Sequence, residues 1–153
     1  MSDAPNVPPR GANDDADWVT DFDPRSDARE RAMNVLYEAD IRGITPAEVT
    51  EAIVVPFDDL TRMLIDGTTA DIAQIDSLVG DASHSWPLHR MPTIDRTILR
   101  MATFELLRRP EVPVAVVIDE AVTLAKRFST DNSGSFVNGV LSAISSRVRP
   151  ASH

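Results

Sequence analysis

The chain has 153 residues, 24 acidic and 15 basic, for a net charge of -9 and a pI near 4.7. Its length suits one domain, and at 42% hydrophobic it can build a core without metals or disulfides. Cysteine is absent, which excludes a disulfide frame, a thiolate metal site and a cysteine nucleophile. No apolar run approaches the roughly 20 residues of a membrane span. The stretch Met1-Ser2-Asp3-Ala4-Pro5 lacks the basic and apolar regions of a secretory signal, so a cytoplasmic protein is expected. Taken alone, the acidic balance argues against a nucleic-acid binder, because phosphate contacts need Lys and Arg.

Residues 1–24 read as a disordered acidic tail ahead of a domain over 25–153. The tail holds Pro5, Pro8, Pro9 and Pro24 and six acids against Arg10, which is five of the nine excess negative charges. Trp18, Val19 and Phe22 offer the only hook by which it could dock. Beyond it the apolar pattern turns helical. Ala28, Ala32, Val35, Leu36 and Ala39 recur at three- and four-residue steps up to a stop at Gly43. Thr45-Pro46-Ala47-Glu48 carries the signature of a capping box with proline in the first turn. It predicts a short helix burying Val49, Ala52 and Ile53 and ending at Pro56.

A long helix is predicted from Asp58 to Val79, burying Leu60, Leu64, Ile72, Ile75 and Leu78. Gly80 to Pro92 reads as a loop. Ile94, Ile98, Leu99, Ala102 and Leu106 then mark a strong helix stopped by Pro110. Val114 to Ile118 has strand propensity but runs into Ala121, Val122, Leu124, Ala125 and Phe128, so the longer 3.6-residue pattern favours a helix over 113–128. A polar loop over Ser129 to Gly134 precedes a last helix over 135–148. Gly139 inside it costs ~1 kcal/mol relative to alanine, which close approach of a neighbouring helix would offset. The fold class is therefore all-α, with about six helices.

The search for catalytic chemistry finds nothing. There is no Gly-x-Ser-x-Gly elbow and no phosphate-binding loop. His84 and His89 beside Asp81 read as a polar loop rather than a metal site, because zinc sites show tighter spacings or further ligands. Asp131-Asn132-Ser133-Gly134 lacks the glycine and glutamate a calcium loop needs at its sixth and twelfth positions, which are Phe136 and Ser142. No enzyme, metal or cofactor is expected. The polar stretch ahead of the last helix and Arg25, Arg29 and Arg31 at the start of the first would form a small RNA-competent patch if the two helix starts are neighbours. Caps and a solvated arginine face explain the same residues equally well.

The C-terminal half resembles a known family. Ile94-Asp-Arg-Thr-Ile-Leu-Arg100 with Phe104-Glu-Leu106, Val114 to Lys126, and Phe136-Val-Asn-Gly-Val-Leu141 are similar, in that order, to segments of the bacterial antitermination factor NusB. Ala28 to Tyr37 resembles the family's first helix, and Leu64-Ile-Asp-Gly67 and Trp86-Pro-Leu-His-Arg90 fall in register between them. The likeness spans about residues 25–145. It implies a bundle of about seven helices in two small subdomains. It further implies a factor that pairs with NusE, a small-subunit ribosomal protein, binds boxA RNA in nascent ribosomal transcripts, and helps RNA polymerase pass terminators.

Residue by residue, the resemblance assigns RNA binding to Arg25, Arg29, Asn132, Ser135, Phe136 and Asn138, with Phe136 able to stack on an unpaired base. It assigns the NusE face to Tyr37 and Asp95. Ser26 and Asp27 interrupt the arginines that many relatives run together, Gly134 and Ser135 stand where a basic residue is common, and Asn132 where an acid is. These departures imply weaker RNA binding by the lone chain and greater reliance on NusE. The other reading they leave open is a helical protein–protein adaptor with little RNA binding. An apolar partner face also leaves a homodimer open.

Overall fold

The computed structural model describes residues 23–150, which form seven α-helices and one short 3₁₀ turn. Helix α1 (Pro24–Arg42) begins where Asp23 accepts the backbone N–H of Arg25 at 2.9 Å, with Pro24 as its first residue. Proline suits that position because the N–H it lacks would have no helical partner. The domain thus starts two residues before the expected boundary, while residues 1–22, with Trp18, Val19 and Phe22, lie outside the described residues. Gly43, at φ 65°, ends α1 in the left-handed conformation that glycine adopts without a Cβ penalty.

Helix α2 (Pro46–Glu51) is closed by the predicted capping box. Glu48 N–H donates to Thr45 Oγ1 at 3.1 Å and Thr45 N–H to Glu48 Oε2 at 3.2 Å. So short a helix turns only Val49 into the core; Ala52 and Ile53, expected inside, are exposed.

The long helix expected over 58–79 is two. α3 (Asp59–Ala70) and α4 (Ile72–Ala82) meet at Asp71, whose φ of -99° and ψ of 16° break the ladder. Arg108 grips the Asp71 carboxylate with a fork of 2.8 and 3.3 Å, and this bond and charge hold its carboxyl below the usual carboxylate range. Both helices present apolar faces to the core, Leu64 and Ile65 in one and Ile75 and Val79 in the other.

After the 3₁₀ turn Leu88–Arg90, helix α5 (Thr93–Arg108) runs through the middle of the fold. It packs against α1 and α3 on one side and against α4 and the two C-terminal helices, α6 (Val114–Phe128) and α7 (Asp131–Val148), on the other. Nearly every residue of α5 from Thr97 to Leu106 is buried, so it cannot show the one-sided pattern of a surface helix. Its arginines are internal ties: Arg96 donates to Asp40 of α1 at 2.7 Å, and Arg100 to Asp76 of α4 at 2.7 and 3.0 Å. Arg149, just past α7, donates to the carbonyls of Glu105, Leu106 and Arg109 at 2.7–2.9 Å, satisfying groups left open at the end of α5.

The close approach expected at Gly139 is absent, since nothing lies within 4 Å of a Cβ placed there. It occurs instead at Gly67, where a Cβ would stand 2.2 Å from the Phe104 ring. Helix α7 also starts earlier than expected. Thr130 caps it by accepting the Ser133 N–H at 3.1 Å, so the supposed polar loop is the first helical turn.

Candidate nucleic-acid interface

Helices α6 and α7 form a tight hairpin joined at Ser129 and Thr130. Around the joint, the hydroxyls of Ser129 and Thr130 each lie 3.0 Å from Ser133 Oγ, and Ser133 Oγ donates to Asp95 Oδ2 at 2.8 Å. This network fixes the first turn of α7 to the start of α5. It leaves Asn132, Ser135 and Asn138 exposed on the outer side of α7. Phe136 is half-buried and meets Trp86 edge to face, with centroids 5.2 Å apart and an interplanar angle of 62°. Its ring thus packs on one side against Trp86, leaving part of it open to solvent.

The two arginines of α1 separate. Arg25 is exposed at the helix start, in a cleft with Val112, Pro113 and Val116 at the α6 N-terminus. Arg29 is 2% exposed. Its Nε and Nη2 donate to Glu105 at 2.9 and 3.0 Å, Glu120 stands 4.0 Å away, and Arg109 closes on Glu105 from the other side at 2.6 Å. Burial alone would lower the Arg29 pKa, but the bond and charge of Glu105, with Glu120 and Asp23, hold it raised. Arg29 is an internal cation in this structure, and a direct RNA contact through it is corrected to a structural tie between α1 and α5.

Arg25 and the start of α7 are not neighbours either. Arg25 adjoins the N-terminal end of α6 and α7 follows its C-terminal end; fifteen residues at 1.5 Å each put those ends about 22 Å apart. RNA would have to run along the α6 flank to touch both.

The two partner residues also part. Tyr37 is 37% exposed and lines an open groove of about 350 Å³ with Met33, Ile41, Ile94 and Phe128. Ile41 and Phe128 are likewise exposed, an apolar patch of the kind that marks interaction surfaces. Asp95, next in sequence to Ile94 of that groove, is fully buried and accepts the Ser133 hydroxyl; solvent does not reach it. The acid expected to face a partner is instead the anchor of α7.

Sequence reading missed Lys126, Ser133 and Trp86. Lys126 is the lone lysine and lies one turn before the hairpin joint, which was its only signal. Among the described residues no group of three or more His, Asp or Glu is placed to hold a metal ion, and no helix is long and apolar enough to cross a membrane.

With this geometry in hand, comparison with known proteins is specific. The NusB family profile matches residues 26–146. Transcription antitermination protein NusB of Acidothermus cellulolyticus is 46% identical over 124 residues, covering 78% of this chain and 86% of that protein. The Saccharopolyspora erythraea protein of the same name is 46% identical over 126 residues, covering 78% and 85%. Among solved structures, T. maritima NusB superposes with a TM-score of 0.76 at 35% identity, covering 84% of this chain and 94% of that one. A structure of antitermination factors NusB and NusE in complex with dsRNA gives 0.72 at 31% identity, covering 80% and 96%. The chain belongs to the NusB family of transcription antitermination proteins.

Proposed function

We propose that this chain pairs with NusE, binds boxA RNA in nascent ribosomal transcripts with it, and helps RNA polymerase read through terminators. It works in the cytoplasm by recognition, making and breaking no bond. The observation that carries this reading is the pair of distinct surfaces beside the α6–α7 joint. One is the apolar groove around Tyr37, the other the polar outer face of α7 with Asn132, Ser135 and Asn138. The groove suits a protein partner, because interface cores favour exposed aromatic and aliphatic anchors. The polar face suits RNA, which offers phosphates and 2′-hydroxyls to short side chains. A solved structure of antitermination factors NusB and NusE in complex with dsRNA supports both kinds of partner.

Arg25 is the exposed arginine of the original pair, so the chain alone presents few cations to RNA. Fluorescence anisotropy of a labelled boxA RNA is expected to rise weakly with this chain and strongly when NusE is added. A scrambled RNA should gain much less. Equal binding of both RNAs would sink the reading, and NusE binding without any RNA response would leave an adaptor.

A further inference from the structure

We propose that Lys126 is a phosphate contact of this RNA surface, and that Gly134 is the residue that positions it. The proposal rests on the RNA-binding reading above and adds a residue to which that reading gave no role. Lys126 lies in the last turn of α6 and is exposed. Its stem crosses the first turn of α7: a Cβ at Gly134 would stand 3.1 Å from Lys126 Cγ, 3.6 Å from Cδ and 3.0 Å from Cε. Gly134 is buried and sits inside a regular helix without a positive φ, so its backbone does not require glycine. Glycine weakens a helix interior relative to alanine. What it supplies here is room for the lysine stem.

The arrangement matters because other cations nearby are engaged. Arg127 pairs with Glu30 at 3.0 Å and lies 4.8 Å from the Phe128 ring centroid. Lys126 makes no ion pair among the described residues, even with Asp131 five positions on. Its stem is held against protein while its ammonium reaches water, the usual compromise of a long cationic side chain. Ser135 follows Gly134 directly and Asn138 lies one turn on, both exposed, so the lysine stem runs along the edge of the polar face already described. An ammonium with three donors serves a phosphate as a point charge without demanding forked geometry.

The test is boxA RNA anisotropy across a salt series with NusE present. Lys126→Gln should weaken binding roughly 3- to 10-fold and flatten the slope of log affinity against log salt by about 0.7–1, the loss of one phosphate contact. Lys126→Arg should keep the slope. Gly134→Ala should weaken RNA binding in the native background and add nothing to Lys126→Gln, with NusE affinity and helicity unchanged. An unchanged slope for Lys126→Gln, where the native complex binds RNA, overturns the phosphate contact. A Gly134→Ala loss that persists in the Lys126→Gln background overturns the positioning role. Failure of the native complex to bind boxA RNA at all would instead overturn the RNA reading, and this inference with it.

Discussion

Replacing Arg29 with alanine is expected to destabilise the fold by about 3 kcal/mol, lowering the melting temperature by roughly 10 °C. Breaking a buried ion pair from one side costs about 3–5 kcal/mol because the other charge stays behind without its partner. Here the charge left is Glu105, whose side chain is 2% exposed. The lower end of the range applies because Arg109 still donates to Glu105 at 2.6 Å. Arg25→Ala should differ sharply. Its side chain is exposed, so stability should hold within about 0.5 kcal/mol. Thermal unfolding followed by circular dichroism checks both. If Arg29→Ala melts with the native protein, the internal role given to Arg29 is wrong and its guanidinium is free for RNA.

Gly67→Ala is the second large effect, and its sign opposes helix propensity. In an open helix this change would stabilise by about 1 kcal/mol. At position 67 the new methyl would stand 2.2 Å from Cε2 and Cζ of Phe104. That ring is 5% exposed and packed within the core cluster. Overpacking of this kind costs about 1–3 kcal/mol, so after the gain in helix propensity the net change should be a loss of up to about 2 kcal/mol. Phe104→Leu in the same chain should recover part of it, because the two sites touch. Gly139→Ala is the control: with nothing within 4 Å of its Cβ, it should stabilise by up to about 1 kcal/mol. Urea midpoints moving in the same direction for the two glycines would contradict the packing described here.

The contrast between these glycines shows what the sequence could reveal. Gly67 and Gly139 look alike along the chain; only the tertiary approach of Phe104 tells them apart. Local signals were legible where a helix end is made by its own neighbours. The Thr45–Glu48 box, the stop at Gly43 and the start of α6 at Val114 all fell where expected. The break at Asp71 did not; its side chain is held by Arg108, 37 residues away in sequence, which no local pattern reveals. The start of α7 was placed late because Ser, Asp and Asn favour loops and caps alike. Thr130 and the buried Ser133–Asp95 bond decide in favour of a helix.

The site divides along the same line. Arg25, Asn132, Ser135 and Asn138 read as exposed polar residues and are exposed, and Tyr37 does line an open apolar face. Arg29 and Asp95 carry charges that normally point outward, yet each finds a buried partner distant in sequence, Glu105 and Ser133. Charge alone cannot announce such pairing. Net charge was misleading for a related reason. It sums over the whole chain, whereas RNA would meet only the cations exposed along its own path, such as Arg25 and Lys126.

The central claim is that partner and RNA use separate faces joined at the α6–α7 turn. It is tested most directly by Tyr37→Ala, titrated with NusE and, separately, with boxA RNA. Truncating an exposed aromatic anchor should weaken NusE binding about 10- to 30-fold, equivalent to about 1.4–2 kcal/mol. The weak RNA affinity of the chain alone should stay within about two-fold of native, since a surface change with no phosphate contact removes no counterion term. Full NusE affinity in the Tyr37→Ala chain, or an equal loss toward both ligands, would contradict the division into two faces.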